Sequence, residues 1–493
     1  MSKRWAKTRS LAAAALICGA LAGCTKAAAA DSRKLKLEPC RPKGFGREAS
    51  CGVLEVFEDR EAKTGRKLDL RVVVLPALAS EAQPDPLFLL AGGPGQAATE
   101  AFAPLLPALS NLRRSRDLVF VDQRGTGGSN KLQCELYPKG ADLKTRFESK
   151  LDPEKLAGCK DKLAADLRLY TTPIAMDDLD DVRAALGYPR INLWGGSYGT
   201  RAALVYARQH PDRVRALVLD GVAPVSLRLP LYFARDAQRS LELTLNQCAA
   251  DIDCKARFPT VRADFEALLA RLDAQPAQIK IEDPLTSAMT DLVVTRRRFV
   301  DNLRAMLYSP ELTALLPLTV DRAAHGDFRA FVAQADAASG GIDGQIAVGM
   351  FLSVICAEDA PFISPEEIER LAQGSFLGGH QAREFLAGCK IWPRGRLPDG
   401  FREAVHSEAP VLLLSGELDP VTPPGWAEEA LKTLPNGTHL VAAGVGHGVT
   451  SLGCFPDLVQ KFIESGTAKN LDSTCAKTMK RPPFFLSFAG PTP

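Results

Sequence analysis

Ile191-Asn192-Leu193-Trp194-Gly195-Gly196-Ser197-Tyr198-Gly199-Thr200 is the stretch that decides how this chain reads. Residues 191–194 make a short strand that breaks into Gly195-x-Ser197-x-Gly199, and 200–209 continue with helical spacing. A strand that turns into a helix this abruptly needs small residues two before and two after its apex, which Gly195 and Gly199 supply. Ser197 occupies the apex, at a helix N-terminus whose dipole favours developing negative charge. A serine in that position is a candidate nucleophile.

Working outward, the same alternation continues on both sides. Residues 214–219 form an apolar run ending at Asp220-Gly221, and 176–186 have helical spacing, with Ile174, Leu179, Val182 and Leu186 on one face. Upstream, 87–90 break into Gly92-Gly93-Pro94-Gly95. Residues 117–121 break into Asp122-Gln123-Arg124-Gly125-Thr126-Gly127-Gly128-Ser129. Two further strand-like runs, 53–57 and 68–75, flank a turn at Lys63-Thr64-Gly65. Strand–helix alternation predicts a parallel sheet with crossover helices. It stops at residue 225. From there to 405 helical periodicity dominates, over 241–248, 261–272, 299–307 and 311–324. Ser364-Pro365-Glu366-Glu367 is a further helix start, with Ser at the cap and Glu three residues on. Strands resume at 411–414 and 438–442, and 130–172 form a smaller helical insertion. The expected division is therefore a leader over 1–23, a tether over 24–37, a core over 38–224 and 406–493, and a helical cap over 225–405.

A serine hydroxyl needs a base, and the order expected around such a turn is Ser, then Asp or Glu, then His. Of six histidines, His210 comes before any late acid, His325, His380 and His406 fall in or beside the cap region, and His439 lies inside a strand. His447, in Gly444-Val445-Gly446-His447-Gly448 just past the last strand, is the expected base. Gly416-Glu417-Leu418-Asp419-Pro420 ends the preceding strand, with Asp419 the first choice of acid and Glu417 the second. The oxyanion would be held by the N–H groups of Tyr198, next to the nucleophile, and Gly93, since Pro94 has none. A nucleotide-binding reading fails, because Gly125-x-Gly127 would need glycine where Asn130 stands.

Composition is that of an ordinary globular protein, with 493 residues, 46% hydrophobic and 24% charged. The net charge of +3 invites a nucleic-acid reading, but the excess sits in the first 23 residues, where Lys3, Arg4, Lys7 and Arg9 face no acid. With no basic patch elsewhere, nucleic acid is excluded as an expected partner. A basic start followed by the short apolar run 11–22 is the pattern of an export signal. Leu21-Ala22-Gly23-Cys24 resembles the bacterial lipobox, which implies a diacylated Cys24, a membrane tether and export to the cell envelope. Thr25 in place of Asp favours the outer membrane where a cell has two. Ten cysteines remain after Cys18 and Cys24, and an even number in an exported chain suggests disulfides. Ten cysteines allow hundreds of pairings. They fall in neighbouring couples, so sequential pairing is expected: Cys40 with Cys51, Cys134 with Cys159, Cys248 with Cys254, Cys356 with Cys389, and Cys454 with Cys475. There is no Cys-x-x-Cys or His-Glu-x-x-His, so no metal is expected, and nothing implies a cofactor.

Taken together, Gly92-Gly93-Pro94-Gly95, Asp122-Gln123-Arg124-Gly125-x-Gly127-x-Ser129, Gly195-Gly196-Ser197-Tyr198-Gly199, Asp419 and His447 resemble the proline iminopeptidase family of α/β-hydrolases. Its exported, tripeptidyl aminopeptidase-like branch is the most similar, over residues 40–478. The resemblance implies an α/β-hydrolase fold, a mostly parallel eight-stranded sheet flanked by helices with an inserted helical cap. It implies a serine exopeptidase acting on peptides from the N-terminus. It further implies cap acids that bind the substrate amine, for which Glu358 and Asp359 are nearest. Ala91 and Gln96 depart from the iminopeptidase pattern and bear on proline preference rather than on hydrolysis. A carboxylesterase using the same triad, and a non-catalytic binding lipoprotein, are the competing expectations.

Overall fold

The structure, a computed structural model, describes residues 34–135, 140–148, 152–283, 286–340 and 345–491. The leader over 1–23 and Cys24 lie outside the described residues. Of the expected tether only the last four residues are described. Leu35 and Leu37 pack against the core, with the Leu35 N–H bonded to the Ala185 carbonyl at 3.1 Å, so this end is not free linker.

Eleven strands are present among the described residues: β1 (Glu38–Cys40), β2 (Ala49–Phe57), β3 (Lys67–Leu75), β4 (Leu87–Leu90), β5 (Leu118–Val121), β6 (Ile191–Gly196), β7 (Val214–Asp220), β8 (Ala277–Glu282), β9 (Met289–Val294), β10 (Val411–Gly416) and β11 (Gly437–Ala442). Nine form one sheet in the order β1-β2-β3-β5-β4-β6-β7-β10-β11. The pairings β1–β2, β2–β3 and β3–β5 are antiparallel, and the five that follow, from β5–β4 to β10–β11, are parallel. This is the α/β-hydrolase architecture with one strand more than expected. The addition is β1, three residues held beside β2 by the Cys40–Cys51 disulfide.

The central strands read as unbroken apolar runs because both faces of the sheet are covered. In β4, Phe88 and Leu90 join the apolar cluster on one face, while Leu87 and Leu89 join the cluster on the other. The crossover helix Tyr198–Gln209 lies on the first face, with Ala202, Ala203 and Tyr206 in that cluster.

Between β7 and β10 the chain builds a second core from Leu241, Leu245, Leu268, Phe299, Leu303 and Phe331. Its helices include Phe233–Ala250, Val261–Ala274, Arg296–Met306 and Pro310–Ala324, which match the periodic runs seen in sequence, the third ending one residue before the expected 307. The Ser364 start is a full capping box, with both reciprocal bonds at 3.2 Å. Three features correct the sequence reading. The cap region is not all helical, because β8 and β9 form a hairpin, its outer face alternating toward solvent. Phe147, from the smaller insertion, packs in the cap core. The chain end also leaves the hydrolase core, as Phe484 enters the cap cluster and the Phe485 N–H bonds the Ala314 carbonyl at 3.1 Å. All ten cysteines pair in sequence order.

Candidate active site

Parallel strands deliver their C-terminal loops to one edge of the sheet, and there β4, β6, β7, β10 and β11 bring together Gly92-Gly93, Ser197, Asp220, Asp419 and His447. Ser197 joins β6 to the helix Tyr198–Gln209 with φ 56° and ψ −123°, a left-handed conformation that costs a non-glycine residue about 1–3 kcal/mol. The surroundings hold it there. Its N–H donates to the Asp220 carbonyl at 2.8 Å, and its carbonyl accepts the Thr200 hydroxyl at 2.6 Å. The two glycines are needed for space. A Cβ on Gly199 would overlap the Leu90 carbonyl oxygen, and one on Gly195 would overlap the Gly199 carbonyl.

Tyr198 is the first residue of its helix, where N–H groups have no intrahelical acceptor. Its ring turns inward, and its hydroxyl shares a 2.6 Å hydrogen bond with Thr172. Burial and then the Glu358 charge push that phenol far above its ordinary range, so it stays protonated. The β4 loop closes on the nucleophile from the other side, since a Cβ on Gly92 would lie 3.1 Å from the Ser197 Cβ. Gly93 follows with φ 105°, a conformation open to glycine.

Asp419 and His447 meet at 2.7 Å between Oδ2 and Nδ1. Asp419 is fully buried, while 14% of the His447 side chain remains exposed. The Val421 and Thr422 N–H groups each donate to Asp419 Oδ1 at 2.8 Å. The Thr422 hydroxyl donates to Oδ2 at 2.8 Å and lies 3.1 Å from His447 Nδ1. Burial pushes the Asp419 carboxyl up, but the imidazole and these N–H donors outweigh it and hold the group below its usual range. Burial likewise pushes His447 down, and the Asp419 charge and bond overcome this, raising it above 6.5. Glu417, the second choice of acid, braces the loop instead by accepting the Gly444 N–H at 2.8 Å. His210, His380 and His439 bond Asp177, Asp301 and Ser415.

Three residues near His447 were not anticipated. Thr422 is one. Asp220 is another, buried at the end of β7. Its carbonyl holds Ser197, while its carboxylate accepts the Val449 N–H at 3.0 Å, the Thr450 N–H at 2.9 Å and the Thr450 hydroxyl at 2.7 Å. One residue thus ties the nucleophile turn to the histidine loop. The third is Tyr308, between two cap helices. Its carbonyl accepts the His447 N–H at 3.1 Å, and its ring stands edge-on to the imidazole at 5.2 Å.

Glu358 and Asp359 need correction as amine ligands, because neither presents a free carboxylate. Both are fully buried behind the nucleophile turn. Glu358 accepts the Thr172 N–H at 2.6 Å and its hydroxyl at 2.9 Å. Asp359 pairs with the buried Arg201 at 3.0 Å. Burial raises both carboxyls, Glu358 to about 7, against the Arg201 charge. They brace the helix that follows Ser197. Among the described residues, no group of three or more His, Cys, Asp and Glu is placed to hold a metal ion.

Residues 85–277 match the family model of the alpha/beta hydrolase fold, and residues 375–475 match one described as TAP-like protein. Over 94% of its length the chain is 24% identical to serine protease Hip1 of Mycobacterium tuberculosis, covering 96% of that protein. It is 26% identical to the tripeptidyl aminopeptidase of Streptomyces lividans over 86% of this chain and 83% of that one. A segment of 137 residues, 28% of this chain and 32% of its counterpart, is 30% identical to the proline iminopeptidase of Neisseria gonorrhoeae.

Proposed function

For a chain that belongs to the α/β-hydrolase serine peptidases, we propose a serine exopeptidase that releases short peptides or single residues from the N-terminus of peptide substrates. The observation that carries the reading is the buried Asp419–His447 pair at 2.7 Å, on the sheet edge that also carries the strained Ser197 turn. In this mechanism Ser197 Oγ attacks the scissile carbonyl carbon. His447 takes the hydroxyl proton and returns it to the leaving amine. Asp419 keeps the Nδ1–H tautomer and stabilises the imidazolium. The N–H groups of Gly93 and Tyr198 receive the oxyanion, each worth about 2.7–4 kcal/mol in the transition state. Water then repeats the sequence on the acyl-enzyme. The region 225–405 serves as the cap that limits access to chain ends.

The proposal also places the enzyme outside the cytoplasm, tethered through a lipid on Cys24, on the outer-membrane or periplasmic side where there are two membranes. The lipobox-like Leu21-Ala22-Gly23-Cys24 and five disulfides support this. Metabolic labelling with an alkyne fatty acid should mark the wild type and not Cys24→Ala.

The test of the activity is a pair of tripeptidyl aminomethylcoumarins, one with a free amine and one acetylated. The free form should be cleaved with at least about tenfold higher kcat/KM, the equivalent of ~1.4 kcal/mol of amine recognition. Turnover of short acyl esters without turnover of either amide would instead establish the esterase.

A further inference from the structure

Five arginines are buried among the described residues: Arg116, Arg124, Arg183, Arg201 and Arg304. Four have a carboxylate within 3.0 Å, namely Asp85, Asp178, Asp180 and Asp359 respectively. Arg304, 9% exposed, has none among the described residues. Its Nε is buried without a hydrogen-bond partner, and Nη2 donates to the Tyr308 hydroxyl at 3.1 Å. Two aromatic rings flank it. The guanidinium carbon lies 3.8 Å from the centre of the Phe233 ring and 5.5 Å from that of Tyr308. Aromatic faces stabilise a cation but do not neutralise it, and a buried guanidinium is normally matched by an anion.

The place of this cation gives it meaning. Arg304 is in the last turn of the helix Arg296–Met306, and Tyr308, which it bonds, is the residue whose carbonyl and ring hold His447. Asp419, the acid that shares these surroundings, is committed to the imidazole. The oxyanion loop of β4 approaches Ser197 through Gly92. The Arg304 charge is thus linked through Tyr308 to His447, the residue that hands its proton to the leaving group.

We infer that Arg304 is an anion subsite that selects substrates whose leaving group carries a carboxylate. This rests on the exopeptidase reading given above and names the substrate class within it. The carboxylate has two possible sources with the same chemistry: the C-terminus of a short peptide, or an acidic side chain just beyond the scissile bond. A guanidinium offers paired donors to either, and charge-assisted bonds of this kind are about twice as strong as neutral ones. The cation also acts on the base. Its field favours neutral His447, and a bound carboxylate cancels that field as the proton moves onto the imidazole.

The experiment compares three tetrapeptides that share their first three residues and are cleaved after the third. One ends in alanine with a free carboxylate, one in alanine amide, and one in aspartate amide. In the wild type the free acid or the aspartate amide should exceed the alanine amide in kcat/KM by about tenfold. Which of the two leads identifies the source of the carboxylate. Arg304→Met should collapse that ratio toward one and move the acidic limb of the pH profile upward, because the cation no longer opposes protonation of His447. Arg304→Lys should restore part of the ratio. A wild-type ratio near one, or a ratio that survives Arg304→Met, overturns the subsite and leaves Arg304 a packing residue. The wild-type ratio does so even if Arg304→Met does not fold. Steady cleavage of the alanine amide with a ratio of one would refute the subsite and keep the exopeptidase. No cleavage of any of the three would count against both.

Discussion

Asp220→Ala removes the one residue that grips both the nucleophile turn and the histidine loop. The change leaves the Ser197 N–H bond to the residue 220 carbonyl in place, so its effect isolates the side chain. Three donors lose their acceptor in a buried site: the Val449 N–H, the Thr450 N–H and the Thr450 hydroxyl, which itself receives the Trp194 indole N–H at 3.1 Å. An unpaired buried donor costs about 1–3 kcal/mol, and local relaxation recovers part of the sum, so the loss of stability should be about 3–5 kcal/mol. His447 sits two residues before Val449, and a displacement of about 1 Å at a reacting group lowers rates about 100-fold. Asp220→Asn keeps one carbonyl oxygen for these donors and should lose roughly half as much stability. It also removes a negative charge that raises His447, so its acidic limb should move to lower pH. Urea unfolding at pH 7 and pH profiles of kcat/KM read all three effects. Asp220→Ala unfolding within about 0.5 kcal/mol of wild type, with kcat/KM within about twofold, would refute the account of this tie.

Gly199→Ala should abolish activity with little soluble protein recovered, because its Cβ meets the backbone of β4 and no flexible side chain. Thr422→Val keeps the shape of the side chain and deletes the hydroxyl bond to Asp419 Oδ2. It should lower kcat by about tenfold, the equivalent of ~1.4 kcal/mol. Catalysis needs neutral His447, whose pKa is raised by Asp419. Activity should therefore fall on acidification with a midpoint above 6.5, and rise to a plateau on the alkaline side. A midpoint at or below 6.5 in kcat/KM would contradict the buried Asp419–His447 pair.

The parts of this molecule legible in sequence are those fixed by local demands. The runs of β4 and β5 are apolar throughout and those of β6, β7 and β10 largely so because both sheet faces are covered, and the Ser197 turn announces itself through the glycines its tightness requires. His447 and Asp419 follow from chain order and strand ends. What stayed hidden depends on partners far along the chain. Asp220 reads as an ordinary strand terminus until Val449 and Thr450, more than 200 residues away, arrive at its carboxylate. Glu358 ends an apolar helix and Asp359 follows it, and the family resemblance makes them candidates to bind a cationic amine. The cation they meet is Arg201, supplied by the helix after Ser197. Arg304 reads as one of several basic residues on an amphipathic helix, and its lack of a carboxylate shows only in three dimensions. The β8–β9 hairpin does not stand out in sequence because its alternation is short and lies amid helical runs.

The central claim is that Ser197 is a nucleophile activated by His447 and Asp419. The direct test is to react the folded protein with a fluorophosphonate and to locate the adduct by peptide mass spectrometry. One adduct per chain on Ser197 is predicted, absent from Ser197→Ala and slowed at least about 1000-fold in His447→Ala. An adduct on any other residue, or labelling of Ser197 that persists at the wild-type rate without His447, would contradict it.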